Sequence, residues 1–363
     1  MKINVFGTRG FPLIQGGVEK HCESLYPLLS SEYKMVVFRR KCYVHSEKTY
    51  HNIRFIDLPS TKIKGIETLL HSLLSTLYSF FQRPDIVHIH NIGPALFSPL
   101  LKLRGIKIVL TYHSANYEHE KWGFFARNLL RLSEKIALTT SDAIIFVNSM
   151  QRQKYNQKIL QKSCYIPNGV NIPFLTDKTD YLATWNLQKN KYILTVGRIT
   201  QEKGFDYLLS AFDKIANKDF KLVIAGGVET ESRYFQQLKK NSAAEKVVFV
   251  NYVYGEALAQ LYANAAFFVN ASYNEGFPMV LLEAMSYNLA ILASDIPGNS
   301  ALNLPENSYF TTGDENELSD KLQQLIDKEP LKIKYDIENY SWDKIAKQTI
   351  DIYKNIQPNQ AAT

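Results

Sequence analysis

Two successive series of short apolar runs, each run followed by a longer amphipathic stretch, limit this chain to few folds. In the first series the strand-like runs are 3–6, 35–38, 53–56, 86–89, 107–110 and 143–147. Helical periodicity covers 18–29, 66–81, 94–103, 122–138 and 149–156. Strands of about five residues separated by helical patterns of ten or more read as βαβ units on a parallel sheet. Residues 164–167 end this series, and 171–190, with Pro173, mixed charges and little periodicity, reads as a linker. The second series places strands at 192–196, 221–225, 247–250, 266–270 and 290–293. Its helices lie near 205–215, 231–241, 255–263, 279–287 and 315–326. An α/β chain of two doubly wound, Rossmann-like domains is expected, with ligand crevices at the carboxyl ends of the strands facing a central cleft. The boundaries fall at 1–168 and 169–341, and the helical pattern at 342–356 is expected to fold back on the first domain, bringing 342–363 with it.

Composition narrows the function classes. At 363 residues and 45% hydrophobic, the chain suits two cores of ordinary size better than one. Cys22, Cys42 and Cys164 lack C-x-x-C spacing, which fits a reducing cytoplasm and argues against a disulfide framework or a zinc site. Met1 leads directly into a strand-like run without a signal-peptide pattern. No stretch reaches the ~18 uninterrupted apolar residues of a membrane span. The nearest, 69–81, is short and carries His71 and three serines. The balance of 42 Lys+Arg against 35 Asp+Glu favours anionic partners. Without zinc-finger spacing, an RRM-like signature or a base-reading basic helix, nucleic acid is not expected among them.

The sharpest signals lie in the second half. Gly197 ends a strand where backbone can approach a ligand, and Arg198 and Lys203 place two cations beside a helix start. Such a combination suits a diphosphate, although a plain strand-to-helix turn with two solvated basic residues explains it equally well. The stretch Asn274-Glu275-Gly276-Phe277-Pro278-Met279-Val280-Leu281-Leu282-Glu283 decides between them. It puts Glu275 in a loop and Glu283 about two turns along the next helix. The amides of Phe277, Met279 and Val280 would point at phosphates, and the two acids can accept from sugar and ribose hydroxyls. A Glu buried among Leu282, Ala284 and Met285 is costly without such a partner.

The Glu-x7-Glu segment, Val196-Gly197-Arg198 with Glu202-Lys203-Gly204, and Ile166-Pro167-Asn168-Gly169-Val170 resemble retaining glycosyltransferases of the GT-B fold, family four, over nearly the whole chain. The resemblance implies that Glu275 contacts the donor sugar, Glu283 the ribose, and Arg198 with Lys203 the diphosphate. It also implies attack on the same face as departure, with the leaving phosphate taking the acceptor proton. The loop Gly7-Thr8-Arg9-Gly10 through Gly16-Gly17 resembles the family's glycine-rich first loop, whose amides approach the donor phosphate and reacting sugar. Its Gly-Thr-Arg-Gly stretch is similar to a bacterial branch that includes rhamnosyltransferases of capsule and O-antigen assembly. A nicotinamide site is disfavoured, because Gly7 and Gly10 do not make G-x-G-x-x-G and Phe38-Arg39-Arg40 lacks the ribose-binding acid. The arginines leave NADP formally open.

His113 follows a strand, where the resemblance implies a histidine beside the donor sugar; alone, it reads more readily as a hydrogen-bonded structural histidine. His88 and His90 share one strand face, but no third ligand is evident from the sequence and no metal or other cofactor is expected. The D-x-D pattern of metal-dependent relatives is missing, so Arg198 and Lys203 serve as the cations. Tyr117, Glu118 and Trp122 form a polar, aromatic stretch that reads as an acceptor loop or as a charged surface loop. Lys62, Lys64, Arg83, Lys102, Arg104 and Lys107 surround the leucine-rich helix 66–81. That pattern suits either a core helix or peripheral docking on the anionic inner face of the cytoplasmic membrane.

Two departures from the resemblance stand out. Asn288 replaces the usual glycine of a Gly-Leu-Pro turn and is expected to keep its left-handed cap. Ser294-Asp295-Ile296-Pro297-Gly298-Asn299 lacks a double glycine and following acid, which bears on nucleotide and sugar preference. The expected function is transfer of a hexosyl or deoxyhexosyl group from a nucleotide-sugar donor to a glycan or lipid-linked acceptor in bacterial surface polysaccharide synthesis. A sugar-nucleotide 2-epimerase and a non-catalytic sugar-nucleotide or membrane-surface binding protein are the alternatives.

Overall fold

The computed structural model of the chain describes residues 1–44, 49–63, 65–115, 117, 123–174, 176–216, 219–228, 233–242 and 245–357. It divides into two compact units, Met1–Gly169 with Tyr340–Thr363, and Val170–Asn339.

In the first unit the apolar runs become β1 (Lys2–Phe6), β2 (Lys34–Arg40), β3 (Thr49–Tyr50), β4 (Ile53–Leu58), β5 (Ile86–His90), β6 (Lys107–Tyr112), β7 (Ala143–Phe146) and β8 (Ser163–Tyr165). They form one sheet ordered β3-β4-β2-β1-β5-β6-β7-β8, parallel except for the β3–β4 pair. Crossovers are made by α1 (Gly17–Leu29), α2 (Ile66–Gln82), α3 (Ser98–Lys102), α4 (Phe124–Thr140), α5 (Ser149–Gln153) and α6 (Gln157–Leu160). Phe6, Phe38, Ile89, Ile108, Leu110, Ile144 and Phe146 make the core. The helix α14 (Trp342–Asn355) belongs to this unit and packs on α1, burying Trp342, Ile345, Ile350 and Tyr353. The two- and three-residue strands β3 and β8 are too short to give a periodic signal.

Two features depart from the simplest reading of the amphipathic patterns. Arg39 and Arg40, which left a dinucleotide phosphate site open, are structural. Arg39 is 1% exposed, donates to both carboxylate oxygens of Asp57 at 2.7 and 3.0 Å, and lies over the Phe55 ring. Arg40 pairs with Glu67 at 3.3 Å. The second feature is α2, which is inverted. Its inward face is Glu67, His71, Ser72, Ser75, Thr76 and Ser79, with Asn4 donating to the Ser79 hydroxyl at 3.0 Å. Ile66, Leu70, Leu77 and Phe81 face outward, and Phe81 is 74% exposed. Small hydroxyl residues permit close approach to the sheet, while Leu69, Leu73 and Leu74 are half-buried at the flanks.

The second unit contains α7 (Asp180–Thr184), β9 (Tyr192–Val196), α8 (Phe205–Asp213), β10 (Lys221–Ala225), α9 (Arg233–Asn241), β11 (Val247–Phe249) and α10 (Gly255–Asn264). There follow β12 (Phe267–Asn270), α11 (Met279–Ser286), β13 (Ile291–Ser294), α12 (Pro297–Ser300), β14 (Tyr309–Phe310) and α13 (Glu315–Ile326). The strands form an all-parallel sheet ordered β11-β10-β9-β12-β13-β14. Part of the expected linker is therefore helical. The short α7 has no readable periodicity and is held by tertiary bonds: Gln260 accepts from the Tyr181 amide at 2.9 Å and donates to Asp180 at 2.8 Å.

After β10 the backbone passes very close to the end of β9. A Cβ on Gly226 would lie 1.7 Å from the Gly197 carbonyl oxygen, while one on Gly17, at the start of α1, would meet none of the described residues within 4 Å. Gly226→Ala is expected to destabilise the chain by about 1–3 kcal/mol, the range for forced overpacking. Gly17→Ala should leave the melting temperature near wild type. Thermal unfolding of the two variants checks the contrast; equal midpoints would contradict the close approach.

Candidate active site

The residues expected on the donor side lie at strand ends of the second unit. Gly197 continues β9 by donating to the Ala225 carbonyl at 2.9 Å. Arg198 follows, with its guanidinium 3.5 Å from Glu202. Gln201–Lys203 form a single 3-10 turn ending at Gly204, whose φ of 63° is left-handed. A Cβ on Gly204 would lie 2.0 Å from the Ala271 carbonyl oxygen, so only glycine lets this turn abut the end of β12. That contact sets Lys203 beside the loop after β12. The Lys203 ammonium donates to Glu275 Oε1, which also accepts from the Ser272 hydroxyl at 2.8 Å. Both members of the ion pair are mostly shielded, at 17% and 13% side-chain exposure.

Gly276, Phe277 and Pro278 stay outside the helix, and α11 begins at Met279 with Pro278 as its cap. Glu283 therefore sits one turn along the helix rather than two, because part of the eight-residue spacing is spent in the loop. The first-turn amides, including Met279 and Val280, have no intrahelical carbonyl and carry the positive end of the helix dipole. Glu283 accepts a hydrogen bond from the Tyr262 hydroxyl at 2.8 Å, and the Tyr262 ring stacks on Tyr287 at 5.3 Å. Asn288, at φ 58°, takes the expected left-handed turn after α11.

Several supporting residues gave no sequence signal. Ser294 donates to the Ser272 carbonyl at 2.6 Å, and Asn299 donates to the Ser294 carbonyl at 2.8 Å. This ladder of short polar side chains links the segment after β13 to the loop that carries Glu275. The Ser294–Asn299 departure thus has a structural role here. Isolated serines in loops carry no spacing pattern that could have marked them.

In the first unit, Gly16 caps α1 and Gly17 is its first residue. Glu19 reaches back to accept from the Arg9 amide at 3.0 Å, and Glu23 accepts from Leu13 at 3.3 Å, tying the glycine-rich loop over the helix start. His113 lies just beyond β6 and is 7% exposed. Its Nε2 is 3.0 Å from His90 Nδ1, and His90 Nε2 is 2.5 Å from the Tyr26 hydroxyl. His88 Nδ1 meets the hydroxyls of Tyr353 at 2.6 Å and Tyr26 at 3.1 Å, while its Nε2 meets Thr111 at 2.7 Å. His21, from α1, hydrogen-bonds to Asn168 Oδ1 at 2.8 Å through its Nδ1.

Burial pushes His21 down to about 4 and His88 to about 3; it also holds His90 and His113 well below the usual imidazole range, so all four rings are neutral at pH 7. His88 and His90 do share a face, but it is His21 and His113 that join His90, each placing a ring nitrogen within 4.8 Å of the others. The helix contributing His21 is remote in sequence from both strands, which is why spacing did not reveal it.

Of the expected acceptor residues, Tyr117 donates to Glu134 at 3.3 Å, beside Tyr112 and Tyr155, which bind the same carboxylate. Glu118 and Trp122 lie outside the described residues, as does Lys64.

Two family models match the chain. Residues 15–173 match Glycosyltransferase Family 4, and residues 177–354 match Glycosyl transferases group 1. Amylovoran biosynthesis glycosyltransferase AmsD of Erwinia amylovora is 30% identical over 146 residues, 40% of this chain and 41% of that protein. At 29–35% identity the matched stretch spans just under half the length of the curated relatives, and at 24% it spans 96% of another. Among solved structures, sucrose-phosphate synthase of Thermosynechococcus elongatus superposes with a TM-score of 0.81 at 22% identity, covering 98% of both chains. Anabaena Alr3699/HepE in complex with UDP-glucose gives 0.72 at 15% identity, covering 98% of this chain and 97% of that one. With one family model on each half and the same two-unit fold throughout, the chain belongs to the group 1, family 4 glycosyltransferases and has the GT-B fold.

Proposed function

We propose that this protein transfers a hexosyl or deoxyhexosyl group from a nucleoside-diphosphate sugar to a glycan or lipid-linked saccharide, with retention, in bacterial surface polysaccharide synthesis. The observation that carries this reading is the cluster of Lys203, Glu275 and Ser272 beside the start of α11, with Arg198 on the same loop as Lys203. In the reaction the bond between the sugar anomeric carbon and the phosphate oxygen breaks, and the diphosphate leaves with the electron pair. Arg198, Lys203 and the α11 amides stabilise that developing charge, the role a metal plays in other transferases. The acceptor oxygen bonds to the anomeric carbon on the same face, and its proton passes to the leaving phosphate.

Glu275 holds Lys203 in place before the donor arrives and can accept from sugar hydroxyls afterwards. Glu283, already accepting from a phenol, is chemically suited to a ribose hydroxyl. His113, Gly16 and Gly17 are assigned to the donor-sugar end, and Tyr117, Glu118 and Trp122 to the acceptor. The complex of Alr3699/HepE with UDP-glucose supports a nucleotide-sugar donor. The experiment is a panel of UDP-, GDP-, dTDP- and ADP-sugars with acceptor glycans, reading nucleoside diphosphate release. One donor is expected to turn over; silence across the panel with a competent acceptor overturns the reading. With that donor, Lys203→Ala and Glu275→Ala should each lower turnover by roughly 10²–10³-fold, as loss of a charge-stabilising group does. Both should still unfold cooperatively, at a midpoint lowered by loss of the shielded ion pair, and unaltered turnover in both would sink the site assignment.

The inverted α2 supports peripheral docking on an anionic membrane that carries the acceptor. Its Ile66, Leu70, Leu77 and Phe81 are exposed, as are Leu103, Lys62, Arg83 and Arg104 of the same unit. Arg104 lies over the Phe80 ring at 4.3 Å, joining basic and aromatic groups in one patch. Among the described residues no helix is long and apolar enough to cross a membrane. Apolar side chains flanked by basic ones suit insertion at the headgroup boundary. Sedimentation with phosphatidylglycerol vesicles should show binding that weakens with salt and is lost in Leu77→Ser/Phe81→Ser. Binding that is absent, or indifferent to both salt and substitution, contradicts this docking mode.

A further inference from the structure

The three buried histidines His21, His90 and His113 come from three different elements, yet their rings form a nearly equilateral triangle. Ring centroids are 5.5 Å apart for His21 and His90, 5.0 Å for His21 and His113, and 5.3 Å for His90 and His113. A tetrahedral ion with metal–nitrogen bonds of about 2.0–2.1 Å holds its imidazole centroids ~5 Å apart and the bonded nitrogens ~3.3 Å apart. His90 Nδ1 and His113 Nε2 are already 3.0 Å apart. We propose that His21 Nε2, His90 Nδ1 and His113 Nε2 form a binding site for a divalent transition metal of the zinc class, within the first unit.

Hydrogen bonding around the triangle points the same way. Asn168 Oδ1 accepts from His21 Nδ1, which leaves the other nitrogen of that ring as a lone pair. That nitrogen, His21 Nε2, is buried and has no hydrogen-bond partner among the described residues, a desolvation cost that a bound cation would relieve. His90 turns its Nε2 to the Tyr26 hydroxyl, so its proton can reside there while Nδ1 faces the triangle. A carbonyl or hydroxyl behind each ligating ring is the usual outer support of imidazole metal sites. Only His113 must change: the proton shared between its Nε2 and His90 Nδ1 has to move to its own Nδ1 or leave. The candidate ligand set contains no carboxylate, which selects Zn²⁺, Co²⁺, Ni²⁺ or Cu²⁺ over Mg²⁺ and Ca²⁺.

The test uses the full chain, stripped with chelator and titrated with Co²⁺ and then Zn²⁺. One Co²⁺ per chain should bind with the visible absorption of a tetrahedral site, and Zn²⁺ should displace it, while Mg²⁺ does neither. His21→Ala and His113→Ala should each weaken binding at least tenfold, and Asn168→Ala, which keeps all three rings, by roughly 10–100-fold. His51→Ala, outside the triangle, should match wild type. Absence of stoichiometric Co²⁺ binding, or wild-type affinity in folded His21→Ala and His113→Ala, overturns the proposal. X-ray absorption on the zinc-loaded wild-type chain needs no variant: three imidazoles in the inner sphere support the site, and one or none refutes it.

Discussion

A parallel sheet covered on both faces leaves little water for polar side chains, so most of those in its interior find partners within the protein. In the first unit this constraint orders much of what surrounds the sheet. His88 and His90 are fully buried on β5 and are satisfied by Tyr26 of α1, Thr111 of β6 and Tyr353 of α14. Arg39 at the end of β2 is satisfied by Asp57 at the end of β4. Along α2, Ser72 and Ser75 return their hydroxyls to their own helix carbonyls at 2.6 and 2.7 Å, which allows a polar face to lie inward. The direction in which α2 shows its leucines to the surroundings follows from that choice.

In the second unit the same requirement acts at the strand ends, where it brings together the charged groups of the proposed site. Glu275 and Lys203 neutralise each other across two loops, Ser272 donates to the Glu275 carboxylate, and Ser294 and Asn299 satisfy backbone carbonyls around them. A site assembled in this way is ordered before any ligand reaches it. Its charges are held by short polar side chains, so little reorganisation is needed when a charged group forms nearby.

Much of this was legible in the residues, and for identifiable reasons. The strands are runs of Ile, Val, Leu and Phe bounded by turns, and two such series in succession specify two doubly wound sheets. Gly197, Arg198, Lys203, Glu275 and Glu283 stand out as candidates because their motifs are contiguous in sequence, and the pairing of Lys203 with Glu275 is what folding adds. The length of α11 before Glu283 was overestimated, since a spacing of eight does not say how many residues remain in the loop. Inward-facing serines on α2 were missed because periodicity fixes which residues share a face but not which face is buried. His21 joined the strand histidines through folding alone, with no sequence proximity to announce it.

The return of α14 to the first unit has a consequence for biosynthesis. Residues 170–339 stand between β8 and this helix, yet Tyr353 hydrogen-bonds to His88 and packs on Tyr33, both near the beginning of the chain. A nascent chain emerging from the ribosome therefore has its first sheet long before it has the last side chains that close it. Domains usually fold in order of synthesis. Here the unit made first is completed last, and the second can fold while its predecessor still awaits a helix. Ribosome-bound intermediates of this protein would expose an incompletely covered α1 throughout translation of the second unit, which makes that surface a natural hold for chaperones.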